Sequence, residues 1–172
     1  MVSACGEGWA TRAQDQIVSQ MIILEERRHE LTGRCISAAE ELLLASRLPF
    51  RIDWILALLH TYPLIGTKFV LKADQEPSGL GVNLAWMTPE NTITESLDLY
   101  PGIAAVGLGY VAVGVCLRGS GDPYFVRALE GDDPPLVRIP HELLNADLSL
   151  SESVVEVVSP SLSVFFRNAR FS

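Results

Sequence analysis

Between residues 104 and 139 the chain is cut by glycine, aspartate and proline into short β-prone pieces. They fall at residues 104–108, 110–117, 124–129 and 136–139. Strands that follow one another this closely predict an antiparallel meander. A hairpin precedes them. Residues 67–71 are β-branched and aromatic, Pro77, Ser78 and Gly79 mark the turn, and residues 81–87 return.

Helices occupy both ends. Over residues 10–30, Ile17, Met21 and Leu24 recur at helical spacing, with Glu25, Glu26, Arg27 and Arg28 on the wet side and Gly33 as a C-cap. Ser37 with Glu40 three residues later is a capping box for a helix through Ala45. Pro49 opens a third helix whose apolar face is Trp54, Ile55, Leu58 and Leu59, stopped by Tyr62-Pro63. Thr88-Pro89-Glu90 starts another, ending near Tyr100. Past His141 come a helical turn, a strand over residues 154–158 and a last helix to Asn168.

Strands grouped together and helices grouped apart predict an α+β fold rather than a doubly wound one. The expectation is an antiparallel meander of about five to six strands packed against helices. Residues 1–35 form an N-terminal helical extension, and residues 36–172 form the domain. Ile17, Met21 and Leu24 need cover, by the domain itself or in a homodimer.

With 48% hydrophobic residues the chain can bury a sizeable core. Its 13 Lys and Arg against 21 Asp and Glu leave a net charge of −8. That sign opposes binding to phosphate backbones and to anionic membranes, and suits a basic protein partner. Cys5, Cys35 and Cys116 are widely spaced, which points to a reducing, cytoplasmic setting, with Cys116 as a small core residue.

Familiar chemistry is missing from the pattern. Gly107 to Gly114 superficially matches a dinucleotide fingerprint, but a strand follows the glycines where a helix is needed. Ser120 sits between glycines in a turn, not on a nucleophile elbow. His29, His60 and His141 are scattered without metal-ligand spacing, and Glu130-Gly131-Asp132-Asp133 lacks the spacing of a calcium loop. The sequence nominates no catalytic residue, cofactor or metal.

Two motifs carry a resemblance. One is Leu48-Pro49 before a helix with Trp54, then strand, loop and strand. The other is Gly109-Tyr110-Val111-Ala112-Val113-Gly114 followed by Gly119, Gly121, Asp122, Tyr124 and Phe125. Their order resembles the SUKH superfamily over residues 42–171, with Tyr62-Pro63-Leu64-Ile65-Gly66 where that family often has an Asn-Gly turn. Gly109 and Gly114 bracket a tightly packed strand, Gly119, Gly121 and Asp122 suit a hairpin turn bonded to its own backbone, and Tyr124 and Phe125 face opposite ways, one into the core.

The resemblance implies a bacterial immunity protein that binds a toxin domain and occludes its basic active site. The alternative is a non-catalytic regulatory or scaffolding module of the same fold. The acids available for such a face are Asp74, Glu76, Glu90, Glu95, Asp98, Glu130, Asp132 and Asp133.

Overall fold

The computed structural model describes residues 21–129, 133–143 and 147–172. It is α+β. Residues 21–26 are helical, followed by α1 (Ala38–Arg47) and α2 (Asp53–Thr61). The hairpin of β1 (Lys68–Leu71) and β2 (Val82–Trp86) leads to α3 (Pro89–Ile93), a π-helical turn (Thr94–Asp98) and α4 (Gly102–Val106). Then come β3 (Tyr110–Cys116), β4 (Tyr124–Arg127), β5 (Leu136–Arg138), β6 (Glu156–Ser159), α5 (Leu162–Asn168) and β7 (Arg170–Phe171).

Among the described residues, seven strands form one antiparallel sheet in the order β6-β5-β4-β3-β2-β1-β7. The meander is as expected, with seven strands rather than five or six. β7 has two residues, too few to show any alternation. It lies on β1, at the opposite edge from β6. Laid end to end, the link from Ser159 to Arg170 spans at most roughly 26 Å. Six strand spacings on a flat sheet need roughly 29 Å. The link closes because the sheet curls around α5.

That curl makes the main core. Phe165 and Phe166 of α5 lie 5.4 and 5.7 Å from Phe69 of β1, and Phe166 lies 5.9 Å from Trp86 of β2, all fully or nearly fully buried. Trp54, Ile55, Leu58 and Leu59 of α2 join this cluster, as their spacing predicts. Trp54 also donates its indole N–H to the Ala128 carbonyl at 2.8 Å. The capping box at Ser37 and Glu40 is present, reinforced by Arg34, which pairs with Glu40 at 2.5 Å. Helix α2 begins at Asp53, not at Pro49, with residues 48–52 forming the connection.

Residues 21–35 belong to the same core. Ile23 and Leu24 are buried in it, while Ile17 lies outside the described residues. The Arg27 guanidinium donates to the carbonyls of Phe166 (2.6 Å) and Ala169 (2.7 Å), sits 3.9 Å over the Phe171 ring and pairs with Glu30. It thus satisfies carbonyls left unpaired at the end of α5. Gly33 is no C-cap. Its backbone passes so close to strand entry that a Cβ would stand 2.3 Å from the Ile65 carbonyl oxygen.

A smaller core lies on the other face. Met87, Tyr110, Ala112, Phe125, Val137 and Ile139 cluster there, covered by Ala105 of α4. Tyr124 and Phe125 do face opposite ways, but both are buried, because the sheet is covered on both sides at this point. Residues 104–108, expected as a strand, are the end of α4 and its turn. An apolar run of five residues has no period long enough to tell strand from helix. Tertiary contact decides it here. Gly102 packs against the π turn so tightly that a Cβ would stand 1.6 Å from the Glu95 carbonyl oxygen.

Candidate functional site

The strand directions sort the acidic residues into two groups. β2 enters from the loop after β1 and leaves into α3, so that loop and α3 lie at opposite ends of the sheet. Asp74 is exposed at the first end. Glu90 and Asp98 are exposed at the second, and Glu95 is half-buried there, where burial pushes its carboxyl pKa up. Glu130 and Asp132 lie outside the described residues.

Two of the proposed acids are already engaged by donors inside the fold. Glu76 is buried and closes its own loop, accepting from the Ser78 hydroxyl and N–H (both 2.7 Å) and from the N–H groups of Leu80 (2.8 Å) and Gly81 (2.6 Å). Burial alone would raise its pKa, but these donors outweigh it and hold the carboxyl low. Asp133 sits at φ +56° and accepts from the Ser163 N–H at 2.7 Å and from the Ser163 hydroxyl. It is thereby tied to the start of α5, where carboxylates suit the exposed N–H groups. The sequence showed these residues as acidic loop positions. It did not show which backbone N–H groups the fold would bring within reach.

The glycine motif is structural. Gly109, Gly119 and Gly121 have φ of +83°, +98° and +82°. At Gly114 a Cβ would stand 3.2 Å from the Leu84 methyls and 3.3 Å from the Tyr124 Cβ. The Asp122 side chain reaches beyond its own turn. Its Oδ1 accepts from the His141 N–H at 3.0 Å and lies 2.5 Å from His141 Nδ1, fastening the β3–β4 turn to the chain after β5. Burial works to raise the Asp122 pKa, and the bonds from Ser120 and His141 overcome it and lower it. The hydrogen bond that the His141 ring donates to Asp122 in turn raises the pKa of that exposed ring. Beside this lies buried Arg138, which donates to Glu156 (2.7 and 2.9 Å) and to the Ser78 hydroxyl (2.9 Å). Burial pushes the Tyr124 phenol up to about 12.

Around α4 an apolar patch faces outward. Tyr100 and Ile103 at α4, with Leu108, Leu129 and Leu148, are exposed around two adjoining depressions. One, of about 460 Å³, runs between α4 and residues 147–150. The other, of about 300 Å³, shares Leu108 with it and continues to Leu129, Arg127 and Glu152. Asp147 and Glu152 stand on the walls, and Asp98 two residues before Tyr100. These residues were not singled out from the sequence, because a strand reading of residues 104–108 hides a helix with one bare side.

Among the described residues no group of three or more His, Cys, Asp or Glu side chains is arranged to hold a metal ion, and no helix is long and apolar enough to cross a membrane. Cys35 and Cys116 are free thiols, and Cys116 is only half-buried at the edge of the main core. No known family, curated protein or solved structure matches the chain.

Proposed function

We propose that this chain works by binding another protein, and that its partner is a basic toxin domain which it neutralises by covering it. One observation carries the binding reading. The buried polar clusters at Glu76, Arg138 and Asp122 each close on partners inside the fold, while the outward chemistry at the α4 end is apolar and acidic. An exposed apolar surface rimmed by charge is the usual mark of a protein interface.

The toxin-directed part of the proposal draws on the net charge of −8 and on the motif order that resembles the SUKH superfamily. An acidic face meeting a basic active site attracts its partner at long range, so the complex forms quickly at low salt and weakens as salt screens it. The test is a pull-down from native cells at low and at high salt. Recovery of one basic protein, released by salt and inhibited by this chain in its own toxic activity, is the expected result. Recovery of signalling proteins with no toxic activity would replace the immunity reading by a regulatory one.

A further inference from the structure

We infer that the groove between α4 and residues 147–150 is the docking face, and that its occupant is a basic protein segment presenting two apolar anchors. The inference rests on the protein-binding reading above and adds the surface and the chemistry of the partner.

Three observations converge on this groove. The two depressions meet at Leu108, so a bound segment fills both with neighbouring side chains. Leu148 is held at φ +62°, a conformation unfavourable for a bulky L-residue, and yet is 50% exposed. Packing within the described fold does not account for a leucine there, and strain of this kind gathers at ligand clamps. The third observation is charge. Asp98 and Asp147 are exposed, and Glu152 offsets the wall cation Arg127 by pairing with it. Asp147 takes the Ser149 hydroxyl (2.6 Å) and N–H (3.0 Å), which keep its carboxyl pKa low and its charge in place.

That charge selects among occupants. A second copy of the chain carries the same net charge of −8 and would approach these carboxylates against like charge, and an anionic lipid surface would meet the same repulsion. A segment with leucine- or phenylalanine-like anchors flanked by lysine or arginine satisfies both the apolar floor and the acidic walls.

The probe is a labelled amphipathic peptide of about 15 residues, leucine on one face and lysine on the other, followed by fluorescence anisotropy on the full chain. Its counterpart carries glutamate in place of lysine. The lysine peptide is expected to bind at least ~10-fold more tightly than the glutamate one, and Leu148→Asn to weaken it by at least ~10-fold. Asparagine accepts the left-handed conformation, so the same variant keeps or raises the unfolding midpoint. Loss of binding therefore cannot be loss of fold. Photo-crosslinks from the peptide are expected on α4 and residues 147–150. Unchanged binding by Leu148→Asn, equal binding of both peptides, or crosslinks elsewhere would overturn the assignment. So would a self-associated dimer that Leu148→Asn dissolves. If the native partner is still captured by Leu148→Asn, the groove is wrong and the protein-binding reading stands.

Discussion

The two faces of the sheet are built to different standards. On one, Phe69 is ringed by Trp86, Phe165, Phe166 and Phe171 at centroid distances of 4.9–6.3 Å, under α2, α5 and residues 21–26. On the other, Tyr110 and Phe125 are accompanied by Ala105, Ala112, Val137 and other aliphatic residues, under the five-residue α4. The first face spends its helices on closing the fold. The thin second cover ends in an exposed apolar rim. A domain with material for one thick helical layer leaves apolar side chains bare where the second layer runs out.

Truncation on the two faces tests that contrast directly. Phe69→Ala is expected to cost about 4–5 kcal/mol in denaturant unfolding, and Phe125→Ala about 3 kcal/mol, since both rings are fully buried but only Phe69 loses several aromatic neighbours. Equal losses would show the faces to be equivalent.

Gly102→Ala comes next, at about 3 kcal/mol, because the new Cβ meets the Glu95 backbone oxygen and α4 must move. Gly114→Ala, which meets only side-chain atoms at 3.2–3.3 Å, is expected to cost less than Gly102→Ala. A Gly102→Ala protein as stable as the parent would refute the packing described for α4.

At the opposite end of the sheet, Glu76→Gln is expected to cost about 2 kcal/mol at neutral pH, since the amide cannot accept all four of these bonds. The Glu76 pKa is lowered in the folded protein, so its contribution is present above the usual carboxylate range and fades as pH falls. The variant should therefore show a flatter acid limb in stability against pH. A parallel limb would mean that Glu76 is not ionised in the fold.

The Asp122–His141 pair gives a smaller effect with a defined sign. The His141 pKa is raised above 6.5, so its contribution is complete below the ordinary histidine value and is lost as pH rises through the raised one. Asp122, being lowered, contributes above the ordinary aspartate value and loses that as pH falls. In Asp122→Asn the His141 titration followed by NMR is expected to return toward 6.5. No movement would separate the two side chains.

The smallest expected effect is at the bare rim. Leu129→Lys, at a residue 73% exposed, is expected to change stability by no more than about 0.5 kcal/mol while weakening binding of the basic peptide. A large loss of stability would show that the rim is part of the core.

Much of this fold is local in origin and was legible in the chain. The capping box at Ser37 and Glu40, the Thr88-Pro89 helix start, the apolar face of α2 and the glycine-punctuated meander each depend on residues a few positions apart. Propensity and period report such interactions directly. The candidate groove was not legible. It requires α4 in place of a strand, Leu148 in a left-handed conformation, and residues about 40 positions apart facing each other across it. Nor could eight acids of equal appearance be divided by composition alone. Glu76 and Asp133 turn inward because the fold delivers backbone N–H groups to them, and Glu90 and Asp98 stay in water because it does not. Local pattern determined most of the elements and their order, α4 excepted. Long-range contact decided which side of the thin layer was left uncovered, because exposure is a property of what packs against a residue and not of the residue itself.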